Sequence, residues 1–296
     1  MDFKIYSDNF SIQSAPPHQV VDWGVDLVKA PKLWSFTKGE GMKIAVLDTG
    51  IDFNHPDLAD NYKKGINFTS SNSSDVMDRK GHGTHVAGII AAVDNDKGIV
   101  GVAPKAELYI CKVLADDGNG SISSIIEGIH WAINQEVDII SMSLGASVDP
   151  GKQFYDAIKL ARENGIIIVA ASGNENSNVV WPAAYEEVLA VGAIDQSLDR
   201  ASFSNYGKEL DVTAPGVDIL STYPGNRYAT LSGTSMATPM VAGVVALIQA
   251  YCRLNSIKAT PEKIIELIQE SSRDLGEFGR DDSFGQGLID LSLLVK

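Results

Sequence analysis

Two patterns of apolar and polar positions alternate along this chain. Short stretches that are apolar throughout, bounded by glycine or polar residues, are typical of strands buried on both faces. They predict strands at residues 43–48, 107–114, 138–144, 166–171 and 188–194, and a shorter one at 217–222. Between them, apolar residues recur at helical spacing and predict helices at residues 82–93, 121–135, 154–163 and 261–268, with a short helical stretch at 25–34. Residues 60–80 are rich in Asn, Ser and Asp, which indicates a surface loop.

The alternation of strands with helices determines the predicted fold class. Apolar strands separated by helices indicate an α/β fold of three layers, αβα, in which a central, mostly parallel twisted sheet has helices on both faces. In such sheets, functional sites lie outside the carboxyl ends of the strands. Asp48 and the polar stretches 143–145 and 172–174 all follow predicted strands, so we expect them at that edge.

A small, glycine-flanked turn at residues 231–239 precedes an almost wholly apolar segment, 240–250. We predict a buried helix here, with Ser235 at its N-terminus and Pro239 at its beginning, where proline costs least. Backbone N–H groups and the positive end of the helix dipole would then stand beside Ser235 and could stabilise an oxyanion. The alternative is that Ser235 is a simple helix cap.

Size and charge exclude several classes of function. The 296 residues, 44% of them apolar, suffice for one sizeable core. A net charge of −14 argues against nucleic acid as a partner, since phosphate binding needs a basic face. The longest apolar run, 240–248, is shorter than the ~18–20 residues that span a bilayer, so we expect no membrane partner. The N-terminus lacks the pattern of a signal peptide, which predicts a cytoplasmic protein. Cys111 and Cys252 are predicted to be buried, reduced thiols.

Three residues of the types that acyl transfer requires stand at suitable places: Asp48 at a strand end, and His82 and Ser235 at helix starts. A serine hydroxyl is a weak nucleophile and needs a base within ~2.6–3.2 Å. A buried carboxylate orients the imidazole of that base. Asn174 can supply its side-chain amide to the oxyanion beside the N–H of Ser235.

Three sequence blocks carry a resemblance to a known family. They are Asp48-Thr49-Gly50, the block Gly81-His82-Gly83-Thr84-His85-Val86-Ala87-Gly88, and Gly233-Thr234-Ser235-Met236-Ala237-Thr238-Pro239. Together with Ser172-Gly173-Asn174 they resemble the signature blocks of the subtilisin-like serine proteases, in the same order, and the similarity runs from about Gln19 to Ile289. The resemblance implies that Asp48 orients, His82 is general base and then acid, Ser235 is the nucleophile, and Asn174 binds the oxyanion.

Two other catalytic chemistries are disfavoured. None of His18, His55, His85 and His130 has metal-ligand company in the sequence, which argues against a zinc site. Asp48-Thr49-Gly50 also matches the aspartic-protease tripeptide, but that chemistry needs a second such aspartate or a dimer partner. The chain contains no second Asp-Thr-Gly.

The resemblance also implies a substrate groove. Two edges would hold an extended peptide by strand addition: Gly118, Asn119 and Gly120 on one side, and Ser143, Leu144 and Gly145 on the other. Val180 occupies the place where the family often has glycine at the floor of the primary pocket. We therefore expect a shallow pocket that prefers apolar or medium-sized side chains.

A structural calcium ion is a further implication. The stretch Val93-Asp94-Asn95-Asp96-Lys97-Gly98-Ile99 resembles the family's calcium loop. The matching ligands are the side chains of Gln19, Asp57 and Asn95 and the carbonyl groups of Val93, Lys97 and Ile99. The alternative is a polar surface turn. Bound calcium would tie the N-terminal segment to the body and stabilise the fold.

The N-terminal segment divides the chain into a tail, residues 1–17, and a peptidase domain, residues 18–296. The tail ends in Pro16-Pro17, and its acidic, leaderless context resembles the intracellular branch of the family. In that branch a short extension blocks the active site until it is cut. Such a tail would be anchored by Phe3, Ile5, Tyr6 and Phe10; a disordered tail is the alternative.

These observations predict a serine endopeptidase that hydrolyses protein substrates through an acyl-enzyme, with broad, apolar-leaning specificity. Two alternatives stay open: a specialised processing protease with few targets, and a non-catalytic binding protein of the same fold. The sequence leaves the oligomeric state open, with a homodimer among the alternatives.

Overall fold

A computed structural model describes residues 2–4 and 8–295 of the chain. Its strands are β1 (Asp2–Lys4), β2 (Asp8–Gln13), β3 (Val20–Val21), β4 (Lys43–Asp48), β5 (Tyr62–Asn67), β6 (Ile99–Val100), β7 (Glu107–Lys112), β8 (Asn119–Ser121), β9 (Ile139–Met142), β10 (Ile167–Ala171), β11 (Val188–Ile194), β12 (Val212–Pro215), β13 (Ile219–Tyr223), β14 (Arg227–Ser232), β15 (Ser272–Arg273) and β16 (Leu288–Ile289). Its α-helices are α1 (Trp23–Leu27), α2 (Ala30–Leu33), α3 (His82–Ala91), α4 (Ile122–Asn134), α5 (Lys152–Glu163), α6 (Thr234–Leu254) and α7 (Pro261–Glu270), and one 3₁₀ turn covers Leu291–Leu293.

The central sheet has nine strands in the order β15-β16-β12-β11-β10-β9-β4-β7-β5. All of its pairs are parallel except β15 with β16 at one edge. This is the predicted α/β architecture. The predicted strands at 43–48 and 188–194 are confirmed residue for residue.

Alternate residues of the strands belong to two separate cores, which is why the protein has three layers. In β4, Ile44 and Val46 pack into the core that contains α3 and α6. Ala45 and Leu47 of the same strand pack into the core beneath α4 and α5. Because successive side chains of a strand point to opposite faces, a strand apolar at every position needs helices on both sides.

Helix α6 runs through the first of these cores and is buried along nearly all of its length. By length and composition alone it could span a membrane, and no other described helix could; 94% of its apolar window is buried inside the protein, as in a core helix. Pro239 does not lie at its very start but inside it, because α6 already begins at Thr234. The proline leaves the carbonyl group of Ser235 without an intrahelical donor.

Sequence patterns missed the strands whose stability depends on a partner strand. The predicted loop at 60–80 contains β5, an edge strand that pairs only with β7. Its sequence, Tyr-Lys-Lys-Gly-Ile-Asn, has neither an apolar run nor strict alternation, and most of its side chains are partly or fully exposed. Pairing, rather than side-chain burial, therefore determines this strand.

The N-terminal tail contains two strands, each paired antiparallel with a strand of the body. β1 pairs with β8, and β2 pairs with β14 in a separate three-stranded sheet, β13-β14-β2. Of the predicted anchors, the side chain of Phe3 is fully buried, Phe10 lies in β2, and Ile5 and Tyr6 lie outside the described residues.

Candidate active site

The residues predicted to follow strands lie at the carboxyl ends of three adjacent strands of the sheet. Asp48 is the last residue of β4, Ser143 follows β9, and Asn174 lies shortly after β10. In the sheet β9 lies between β4 and β10. Neighbouring strands are about 4.8 Å apart, so the topology brings together residues that are far apart in the sequence.

Asp48 and His82 form a buried hydrogen-bonded pair. The Nδ1 atom of His82 lies 2.8 Å from Oδ1 and 3.0 Å from Oδ2 of Asp48, and both side chains are almost completely buried. Because the carboxylate only accepts, Nδ1 carries the proton, and Nε2 of the neutral ring has a lone pair to offer. Among the described residues, none makes a hydrogen bond with Nε2. The ring is thus in the tautomer that a general base requires.

Ser235 lies in the first turn of α6 and makes two hydrogen bonds with Ser143. The hydroxyl group of Ser235 donates to the backbone oxygen of Ser143 at 3.3 Å. The hydroxyl group of Ser143 donates to the backbone oxygen of Ser235 at 2.9 Å. That oxygen would bond the N–H of residue 239 in a regular helix, and Pro239 has none. Ser143 therefore satisfies the carbonyl group that the proline leaves open.

Asn174 is fixed by the residue that precedes Ser235. Its side-chain oxygen accepts from the N–H of Thr234 at 2.9 Å and from the Thr234 hydroxyl at 2.7 Å. These two bonds identify the amide oxygen as the acceptor, so the NH₂ group is the donor end of the side chain. This is the orientation that an oxyanion donor needs.

Asp78 is a buried residue at this site that the sequence patterns did not reveal. Oδ1 accepts from the hydroxyl of Thr49 at 2.9 Å and from the N–H groups of Lys80 and Gly81. Oδ2 accepts from the N–H and hydroxyl of Thr84, at 2.8 and 2.7 Å. The capping position of α3 is a glycine without a side-chain acceptor, so Asp78 supplies the acceptors for the start of the helix.

Thr49 connects this carboxylate to the dyad. Its hydroxyl donates to Asp78 and accepts from the N–H of Gly83 at 2.9 Å. Thr49 follows Asp48 in the chain, and Gly83 follows His82. The Thr49 hydroxyl therefore links the end of β4, which carries Asp48, to the start of α3, which carries His82. The Asp48-Thr49-Gly50 block contained this signal, but only the fold shows its use.

Two further buried polar residues brace the site. Lys112 lies opposite Asp48 in β7; its ammonium group donates to the backbone oxygen of Thr49 and to Asp116. Asn205 is fully buried and bonds four groups of the stretch from Glu175 to Asn178. Neither has a sequence signal of its own, because each depends on a partner distant along the chain.

The predicted groove edges are described in the structure. Asn119 and Gly120 lie in β8, Gly118 precedes it with φ of +88°, and β8 pairs with β1 of the tail. The register places Phe3 opposite Gly120. The ring of Phe3 is fully buried and stacks on Phe154 of α5, with 5.2 Å between ring centroids. The edge that was predicted to bind substrate is therefore paired with β1 of the tail.

Val180 and Gly145 are in close contact. A Cβ atom at Gly145 would come within 2.5 Å of a methyl group of Val180, so the valine packs directly on the glycine backbone. Ser143 and Leu144 are fully buried. Val180 also borders a cavity of about 370 Å³ that Glu175, Asn178 and Asn205 help to line.

The predicted calcium loop converges on Gln19. The side-chain amide of Gln19 lies 2.9 Å from the carbonyl oxygen of Val93 and 3.4 Å from that of Ile99. The amide of Asn95 lies 3.3 Å from Oδ1 of Asp57, and the N–H of Lys97 donates to Asn95. Oxygen atoms of Val93, Ile99, Asp57 and Asn95 therefore lie close together in this part of the structure.

Two other histidines have structural roles. His85 is fully buried, and its Nε2 lies 3.1 and 2.9 Å from the carbonyl oxygens of Ile219 and Ala229; burial lowers its pKa to about 3. His55 bonds the carbonyl oxygen of Arg227, and burial lowers its pKa as well. Among the described residues, no group of three or more His, Cys, Asp or Glu side chains could hold a metal ion.

Cys111 and Cys252 are both free and buried, as predicted. Burial raises the pKa of each thiol. Both are therefore protonated at neutral pH, the unreactive form of a thiol.

Comparison with known proteins gives one family. A model of the Subtilase family (Peptidase_S8) matches residues 39–287. The intracellular serine protease of Paenibacillus polymyxa is 47% identical over 259 residues, which cover 84% of this chain and 79% of the relative. The major intracellular serine protease of Bacillus subtilis is 47% identical over 239 residues, 77% of this chain and 75% of the relative. Subtilisin BL of Lederbergia lenta is 51% identical over 233 residues, 78% and 85% of the two chains.

Proposed function

This chain belongs to the subtilase family and is a serine endopeptidase, and we propose that Asp48, His82 and Ser235 are its catalytic triad, with Asn174 as oxyanion donor. The observation that carries the proposal is the buried Asp48–His82 pair, which leaves Nε2 of His82 as a base. The position of Ser235 at the N-terminus of α6, beside the fixed amide of Asn174, supports it further.

The geometry supports the following mechanism. In this mechanism the Ser235 hydroxyl gives up its hydrogen bond to the carbonyl oxygen of Ser143, and Nε2 of His82 takes its proton as Oγ attacks the scissile carbonyl carbon. Asp48 stabilises the imidazolium that forms. The oxyanion accepts from the Asn174 amide and the Ser235 N–H. His82 then protonates the leaving amine, and water hydrolyses the acyl-enzyme by the same steps.

Covalent labelling tests the assignment of Ser235. We expect a fluorophosphonate to add once to a chain that lacks residues 1–17, and not to its Ser235→Ala variant, in intact-mass spectra. The matched control is Ser232→Ala, because Ser232 lies in the same segment but its hydroxyl is bonded to Asp218. Labelling that persists in Ser235→Ala, or disappears in Ser232→Ala alone, would contradict the assignment.

We also propose that residues 1–17 are a short inhibitory propeptide. The support is the antiparallel pairing of β1 with β8, the edge expected to hold substrate, together with the burial of Phe3. Deletion of residues 1–17 should raise the initial rate of hydrolysis. Phe3→Asp should raise it as well, because an ionised carboxylate cannot occupy an apolar pocket without a large cost. An unchanged initial rate in both variants would refute the proposal.

Calcium is the proposed cofactor of the Val93–Ile99 loop. The residues fit the ion, since two carbonyl oxygens converge on the Gln19 amide while Asp57 and Asn95 meet beside it. Gln19, Asp57 and Asn95 would bind through their side chains, and Val93, Lys97 and Ile99 through their carbonyl groups. The bound ion would supply stability and would take no part in the chemistry.

For specificity we propose a shallow primary pocket with Val180 at its floor. The support is the contact between Val180 and Gly145, which leaves no room for a deeper side chain at this point. Val180→Gly should raise kcat/KM for aromatic side chains by about tenfold relative to leucine, since a lost clash of a few methyl groups is worth 1–3 kcal/mol. If the preference for leucine over aromatic side chains stays the same in Val180→Gly, another residue forms the floor of the primary pocket.

The substrates are proteins or peptides, as the family implies. We propose a cytoplasmic location, which the names of two relatives, both intracellular serine proteases, support. The predictions on nucleic acid, membrane and a homodimer remain predictions.

A further inference from the structure

The outer edge of β14 carries the second strand of the tail. β2 pairs antiparallel with β14, from Tyr228 opposite Gln13 to Ser232 opposite Asp8, with a register shift between Leu231 and Ser232. The other edge of β14 is occupied by β13. Ser232 is three positions before the proposed nucleophile Ser235, so this edge begins at the active site and leads away from it.

Among the side chains that the structure describes, those of the two tail strands make different contacts. β1 buries the whole ring of Phe3. In β2, Ser11, Ile12 and Gln13 are exposed, with 43% of Ile12 accessible. The Gln13 side chain makes one long hydrogen bond, 3.5 Å to Thr230. Where the β2 side chains are described, backbone pairing rather than side-chain burial therefore holds the strand. Backbone pairing is open to almost any extended polypeptide.

The order of the tail strands indicates which part of a substrate each edge receives. Residues 2–4 lie on β8 and residues 8–13 lie on β14, both antiparallel to their partners. A polypeptide that runs through the groove in the same direction places its amino-side residues on β8. Its residues beyond the cleaved bond then meet β14.

We propose that the edge of β14, from Arg227 to Ser232, binds the substrate segment that follows the cleaved bond as an added antiparallel strand, and that β2 fills this edge in the intact chain. The proposal rests on Ser235 as nucleophile. It extends recognition several residues past the cleaved bond, with little dependence on their side chains. It also implies that a cut between β1 and β2 frees the edge of β8 for substrate, while β2 still covers the edge of β14.

Two truncations and two substrates test the proposal. One variant lacks residues 1–7 and keeps β2; the other lacks residues 1–13. The first substrate is a tetrapeptide anilide, which has no residues after the cleaved bond. The second carries the same four residues followed by seven more, with a fluorophore and a quencher. Both variants should hydrolyse the anilide with the same kcat/KM.

The extended peptide should distinguish the variants. We expect its kcat/KM to be about tenfold lower in the variant that keeps β2, mainly through KM, because the peptide must displace β2 before its own backbone can pair with β14. N-methylation of its carboxyl-side residues should remove the advantage in the shorter variant. A free peptide of residues 8–13 should then inhibit cleavage of the extended peptide and leave anilide cleavage unchanged.

Each contrary result has a separate meaning. Equal cleavage of the extended peptide by both variants, or no effect of N-methylation, would overturn the proposal. Loss of anilide activity and of thermal stability only on removal of residues 8–13 would make β2 a fixed strand of the fold and would overturn it too. No anilide hydrolysis by either variant, with both folded, would instead contradict the proposed catalytic site.

Discussion

The proposed catalytic cleft and the Val93–Ile99 loop both bring together residues that are distant along the chain, but their polar atoms have different partners. In the cleft, the oxygens of Asp48, Asp78 and Asn174 accept from donors of the protein itself. In the loop, two carbonyl oxygens converge on the single amide of Gln19. Both regions are held by protein hydrogen bonds, but in the loop several oxygen atoms lie around the side-chain amides of Gln19 and Asn95.

The difference follows from what each region has to stabilise. The proposed oxyanion and imidazolium exist only during the reaction, so the groups that stabilise them must be held in place beforehand. A calcium ion carries its charge permanently and draws oxygens around itself. Changes in the cleft should therefore lower turnover, with some loss of thermal stability where a buried partner is left unsatisfied, and changes in the loop should lower thermal stability without altering turnover.

Among the changes in the cleft, Asn174→Ala should have the largest effect on kcat. We expect kcat to fall by about a hundred- to a thousand-fold, a magnitude known from subtilisin rather than derived from this structure. The thermal midpoint should fall by only a few degrees, because Thr234 loses the acceptor of its N–H and hydroxyl groups. Steady-state kinetics and calorimetry measure both quantities, with Asn164→Ala as the control, because that amide bonds only the helix carbonyl of Leu160. A fall in stability without a fall in kcat would contradict the contrast.

Thr49→Val removes the hydroxyl that links the two halves of the dyad and keeps the shape of the side chain. Asp78 loses one donor and the N–H of Gly83 loses its acceptor. An unsatisfied buried group lowers the free energy of unfolding by about 1–3 kcal/mol. Because the same hydroxyl links the strand of Asp48 to the helix of His82, we also expect kcat to fall by about tenfold at unchanged KM.

Thr49→Ser, which keeps the hydroxyl, should restore most of the activity. The low-field proton resonance of His82 Nδ1 should be lost or broadened in Thr49→Val and retained in Thr49→Ser. Equal kcat in the two variants would leave the hydroxyl without a positioning role.

Removal of calcium is the corresponding test of the loop. At a calcium concentration a hundred times its Kd, binding would contribute ~2.7 kcal/mol to the free energy of unfolding. We therefore expect chelation to lower the thermal midpoint by several degrees, while kcat of the folded enzyme stays the same at low temperature. Magnesium should not replace calcium, since it prefers a smaller octahedral site with bound water. A midpoint that does not respond to calcium would refute the site.

Gln19→Leu should give the smallest effect, since it removes one of the six proposed ligands. The calcium-dependent part of the thermal midpoint should shrink, and kcat should remain at the wild-type value. The measurement is the midpoint with and without calcium in both proteins. An unchanged calcium response would exclude Gln19 from the ligand set.

Sequence patterns located the parts of the cleft that local chemistry determines. The apolar stretch 43–48 ends at Asp48, and the apolar stretch 240–250 lies within the buried helix that carries Ser235. The same patterns could not identify Asp78, Lys112 or Asn205, whose importance depends on partners brought close by the sheet. They also missed β5 and both strands of the tail, because pairing partners are not encoded in a strand's own residues.

The sequence by itself determined the αβα class, the strand that ends at Asp48, the buried helix behind Ser235 and the family blocks, because periodicity and local capping act over a few residues. Only the tertiary structure decided that His82 presents Nε2, that Ser143 satisfies the carbonyl group which Pro239 leaves open, and that the tail lies on β8 and β14. The reason is physical: these features are hydrogen bonds between segments distant along the chain, which exist only once the sheet has set strand order and register.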